Sequence, residues 1–184
     1  MKTNVLIALL ILSSSITGCR SSAIKYDSSK IDFLHNLVEE RSYEINSNWA
    51  FPLMTQGLTS IANAGLLRPG STAGSIDLIG NPNYLKVIGD SVSISLPYFG
   101  ERQMGGGYAN NDIGIKFDGI PEDYVVQWDE KKHRYHIEMQ IRQKTETLDF
   151  NITLFPSLKG DINVNSTHRF SIRYSGSTAP ISGD

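Results

Sequence analysis

The sequence predicts a mainly β domain, α+β at the margin: an antiparallel meander of about eight to ten strands, curled into a barrel-like sheet or a sandwich, with one N-terminal helix. Three observations predict it. From Tyr84 onward apolar residues recur at every second position, the period of a half-buried strand. Short polar turns separate these runs, which favours sequential antiparallel pairing with one dry and one wet face. A single stretch, 29–41, shows helical spacing instead.

Taken in order, Ser29-Lys30-Ile31-Asp32 has the form of a capping box that opens the helix near Ser29. Ile31, Phe33, Leu34, Leu37 and Val38 then gather on one helical face. At Tyr43 the period changes to two, with Tyr43, Ile45, Trp49 and Phe51 alternating with polar residues up to Pro52. Residues 53–82 are rich in Gly, Ser, Thr and Ala, and short strands are expected around Leu58–Ala62 and Ser75–Ile79. Tyr84–Ile88 and Ser91–Leu96 flank Gly89-Asp90, a two-residue hairpin.

Later alternating sets are Ile113, Ile115 and Phe117, then Tyr124, Val126 and Trp128, then Tyr135, Ile137, Met139 and Ile141. Leu148, Phe150, Ile152 and Leu154 form the next, followed by Ile162 and Val164, and by Phe170, Ile172 and Tyr174. The domain therefore spans 29–176, and 177–184 reads as a flexible tail.

The beginning of the chain reads differently. Lys2 and the apolar run Val5 to Leu12, followed by small residues, form an export signal over 1–18. Eight apolar residues rise only about 12 Å as a helix, far short of a bilayer's hydrocarbon. Ile16-Thr17-Gly18-Cys19 resembles the bacterial lipobox, and that resemblance implies cleavage before Cys19 and acylation of it. More than one acyl chain makes a stable membrane anchor. Residues 19–28 are then the lipidated cysteine and a polar tether. Arg20 and Ser21 lack the aspartate of inner-membrane retention, so the expected location is the cell envelope, at the outer membrane facing the periplasm.

A formal net charge of −2 over 184 residues supplies no basic footprint for nucleic acid. His133 and His136 stand three apart on an expected strand, where they point to opposite sides, so no metal site is expected. No nucleophile with a base, carboxylate pair or cofactor fingerprint is legible, so the chain reads as a non-enzyme without a cofactor. The stretch 94–117, ISLPYFGERQMGGGYANNDIGIKF, is the least ordinary. Pro97 ends a strand, and alternation from Leu96 puts Tyr98 on the dry face. Tyr98, Arg102, Gly105, Gly106, Gly107 and Tyr108 form the candidate binding loop. Asp90-Ser91-Val92 resembles a short O-glycosylation motif, which makes Ser91 a candidate acceptor.

The lipobox, the early helix, Leu96-Pro97-Tyr98-Phe99-Gly100 before a Gly-rich loop, and the closing RFSIRYSG at Arg169–Gly176 together resemble an uncharacterised Bacteroidetes lipoprotein family classed as a domain of unknown function. That family carries an arginine directly after LPYFG; here Glu101 intervenes and Arg102 follows. The resemblance implies location and architecture, and no activity. Two readings of function follow. In the first, the chain is a binding or scaffold module for a small apolar ligand or an envelope protein. In the alternative it is a hydrolase-type enzyme with its site in the 96–108 loop.

Overall fold

A computed structural model describes residues 26–101, 103, 114–143 and 145–181. Asp27 caps the first helix, α1 (Ser28–Glu39), its carboxylate accepting from the Ser29 amide. The cap thus lies two residues earlier than the Ser29 capping box suggests, because a carboxylate was already in place upstream. Leu34, Leu37 and Val38 are buried, and each such side chain contributes roughly 1.5–3 kcal/mol. Phe33 falls off that stripe and is 42% exposed.

Ten strands follow: β1 (Ser42–Pro52), β2 (Ile76–Asp77), β3 (Tyr84–Ile88), β4 (Ser91–Leu96), β5 (Ile115–Gly119), β6 (Asp123–Asp129), β7 (Arg134–Gln143), β8 (Glu146–Leu154), β9 (Lys159–Ser166) and β10 (Ile172–Pro180). Their order in one antiparallel sheet is β5-β4-β3-β1-β10-β9-β8-β7-β6, with β2 paired off this path to β1. The sheet curls into a half-barrel, and the choice between barrel and sandwich falls to the former. Its concave face is filled by its own side chains, among them Tyr43, Ile45, Leu85, Ile94, Ile137, Phe150, Ile162 and Tyr174.

The two outermost strands are consecutive in the chain. Every pairing is antiparallel and β4 and β7 stand an even number of pairings apart, so β5 and β6 run in the same direction. A parallel neighbour needs a crossover of a dozen or more residues, and only 120–122 intervene. β5 and β6 therefore continue one another as a single strand bent at Gly119–Pro121, handing the sheet from β4 to β7. The Gln143 side chain bridges across at this point, donating to the Lys116 carbonyl at 2.5 Å.

Three further expectations change. Leu58–Ala62 belongs to a helix, α2 (Gln56–Asn63), which starts at the Thr55 cap, where the hydroxyl accepts from the Leu58 amide. In β1 the register shifts between Ser47 and Trp49, so Ser47 and Ala50 face inward while Trp49 and Phe51 turn to the half-exposed side. A bulge adds one residue and flips the parity beyond it. Buried Asn83 holds it: the Ser47 amide donates to Asn83 Oδ1 at 2.9 Å, and Asn83 Nδ2 donates to the Ser47 carbonyl at 2.9 Å. This amide stands in for strand β3, which pairs with β1 only over 42–45. The third change is at the end, where β10 continues to Pro180 with Thr178 buried, so Ser177–Pro180 is strand and not loose tail.

Candidate functional site: the two ends of the barrel

The strands place chemistry at both ends. At one end β4 stops, β8 and β10 begin, and the chain enters β5. Tyr98 seals this end at 6% exposure, its hydroxyl 3.0 Å from the Phe170 carbonyl and 3.2 Å from that of Glu101. Tyr174 supports it from below by donating to the Pro97 carbonyl at 2.8 Å. The Arg169 guanidinium lies 5.3 Å from the Tyr98 ring centroid, grips Glu146 through Nε and Nη2, and donates from Nη1 to the Gly114 carbonyl at 3.1 Å. Ser166 donates to the same carboxylate at 2.6 Å. Burial pushes the Tyr174 phenol far above its ordinary range, with the Tyr98 phenol acting in the same direction. These groups satisfy one another, so the arrangement locks the end of the sheet and holds the 97–101 segment in place.

Beside this end lies the arm between β1 and β2, which carries α2. None of α2's residues is buried; Leu58 rests partly against the core. Leu53, Met54, Ile61 and Leu66 are all exposed, Leu66 at 74%. The arm touches the sealed end, since Gly57 lies close to the Glu101 carboxylate.

At the opposite end α1 lies across the opening. His35 Nδ1 is 2.6 Å from the Tyr135 hydroxyl, and the Trp128 ring packs 4.5 Å from His35 and 5.0 Å from Tyr135, centroid to centroid. The Tyr43 and Tyr124 hydroxyls meet at 3.0 Å beneath Arg41, whose guanidinium sits 4.9 Å from the Tyr124 centroid. Burial raises the Tyr43 phenol well above its usual value, and the Tyr124 hydroxyl beside it pushes the same way.

Of the residues singled out from sequence, Tyr98 is buried on the inner face as its alternation implies. Arg102, Gly105, Gly106, Gly107 and Tyr108 lie outside the described residues, as does Cys19. Ser91 opens β4 at the exposed tip of its hairpin. His133 sits in the turn before β7 and His136 on β7 itself, and no metal-holding group occurs among the described residues. Sequence reasoning missed Arg169, Glu146 and the His35–Tyr135–Trp128 cluster. Among the described residues no helix is long and apolar enough to cross a membrane.

Fold and site define a class: a curled antiparallel half-barrel, plugged by one helix and sealed at the far end by a tyrosine and a buried ion pair. The chain belongs to the family described as Domain of unknown function (DUF4251), whose family model matches residues 25–178. No curated protein matches the chain. Among solved structures it is similar to the crystal structure, at 1.95 Å resolution, of a DUF4251 family protein from Bacteroides eggerthii DSM 20697. The two share 14% identity over 84% of this chain and 89% of that one, with a TM-score of 0.54. At that identity the likeness speaks for the fold alone.

Proposed function

We propose that this chain is a lipid-anchored envelope protein that acts as a non-catalytic docking module for a protein partner. The observation that carries the docking reading is the α2 arm. An amphipathic helix that buries none of its residues, with Leu53, Met54, Ile61 and Leu66 exposed around it, leaves apolar surface uncovered. Exposed apolar surface of this kind is a common mark of an interaction site. A small apolar ligand inside the sheet is the weaker form of the reading, since the concave face is filled by side chains of the chain itself. The hydrolase reading draws no support from Tyr98, whose hydroxyl is held against two carbonyls.

The test compares proteins that co-purify from the native envelope with the unsubstituted chain and with an Ile61→Asp, Leu66→Asp variant. The proposal expects a partner present with the first and lost with the second at unchanged melting temperature. The same proteins in equal amount with both would remove the arm as the docking surface.

A further inference from the structure

The α1 end carries an apolar groove of about 430 Å³, formed by Phe33 on the helix and by Pro156 and Leu158 on the β8–β9 turn, with Lys30 at its rim. Two features single it out. Phe33 stands exposed on the flank of a helix whose other face is fully used by the core. Leu158 adopts a φ of +59°, a left-handed conformation that a bulky residue rarely takes, and its side chain, partly packed against the core, also lines the groove.

The described residues begin at Tyr26, four residues before Lys30 at the rim of this groove. Asp27 caps α1 one turn before Lys30, and Cys19 precedes Asp27 by eight residues, a reach of at most roughly 28 Å when extended. The sealed end lies a strand length away, roughly 33 Å along the ten residues of β7 before tilt. An anchor at Cys19 would therefore attach the chain to the lipid at its α1 end, about a strand length from the α2 arm.

We infer that the groove is a membrane-docking face: Phe33 and Leu158 enter the headgroup–acyl boundary while Lys30 stays among the headgroups. This rests on the reading of Cys19 as the lipid anchor. The driving force is apolar burial added to the acyl chains, since Asp27 and Asp32 offset Lys30 and leave no basic patch. Docking would fix the orientation of the barrel, presenting the α2 arm away from the bilayer.

The experiment uses the full lipidated chain in phosphatidylethanolamine–phosphatidylglycerol vesicles, with Phe33→Cys carrying an environment-sensitive dye. Met54→Cys, on the arm, serves as the far-end control. Acylated Cys19 has no free thiol, so the unsubstituted chain must refuse the dye. The inference expects a blue-shifted emission at position 33, quenched several-fold by nitroxide-bearing lipid, and no quenching at position 54. Dye uptake by the unsubstituted chain would overturn the anchor reading and this inference with it. No uptake there, with position 33 as unquenched as 54, would overturn the docking face and leave the anchor standing. Equal quenching at both positions, or a blue shift that needs protein concentration and no lipid, would overturn it in favour of a prone barrel or a second copy.

Discussion

Arg169 and Glu146 meet in a two-pronged ion pair at the sealed end, Nε at 2.7 Å and Nη2 at 3.0 Å from the carboxylate oxygens, with side chains only 6% and 13% exposed. Removing one partner leaves the other charge buried, which costs about 3–5 kcal/mol. Arg169→Ala should therefore lower stability in denaturant melts by that amount. Arg169→Met with Glu146→Leu should recover part of the loss, because the uncompensated charge is then gone.

Tyr98 sits against the same pair, and its truncation should lower the melting temperature clearly. Tyr98→Phe keeps the ring and removes only the hydroxyl that meets the Phe170 and Glu101 carbonyls, a change of about 1–3 kcal/mol. Thermal melts of the two variants separate ring packing from hydrogen bonding.

Strand β8 offers a cleaner contrast. Phe150 and Ile152 are each 1% exposed, while Asn151 between them faces solvent. Phe150→Ala and Ile152→Ala should each cost about 2–5 kcal/mol, and Asn151→Ala should stay within about 0.5. Comparable losses for all three would mean a strand buried on both faces.

Gly176 and Gly57 should respond oppositely to alanine. A Cβ on Gly176 would lie 2.6 Å from Ser47 Cα and collide with the Asn46 carbonyl at the β1 bulge, where the backbone has no room to yield. Gly176→Ala should cost at least about 1–3 kcal/mol. On α2 a Cβ on Gly57 meets the Glu101 carboxylate at 3.2 Å, a flexible side chain, and the Thr55 hydroxyl at an ordinary 3.9 Å, so Gly57→Ala should be neutral or stabilising by up to about 1 kcal/mol.

Buried phenols make stability fall at alkaline pH. Tyr43, Tyr124 and Tyr174 have raised values when folded, chiefly through burial. Below the unfolded phenol value, about 10, both states hold the proton and the contribution is complete. Above it the unfolded chain releases protons that the folded chain keeps, so stability drops by up to about 1.4 kcal/mol per pH unit for each phenol. Denaturant melts between neutral pH and pH ~11 should show a flat region followed by this decline, shallower in Tyr43→Phe.

Alternation made most of the sheet legible, because strands with one dry face carry it on every second residue; the sets from Tyr135 to Leu154 appear in β7 and β8 unchanged. It failed where burial and sequence part company. The β1 bulge depends on Asn83, which lies 36 residues away and reveals nothing by its neighbours. Helix α2 spans only eight residues and buries none of them, so Leu58 and Ile61 are too few apolar positions to tell a helix from a short strand. At the sealed end the inward Tyr98 followed from its parity with Leu96. The pairing of Arg169 with Glu146 did not, since a charge pair joining the first residue of β8 to the segment before β10 has no periodicity.

The proposed anchor at Cys19 underlies the envelope location and the orientation proposed for the docking module, and metabolic labelling with a clickable fatty acid tests it most directly. The account predicts label on the unsubstituted protein and none on Cys19→Ala, which should accumulate uncleaved or soluble. Equal labelling of the two, or no label on either, would contradict it.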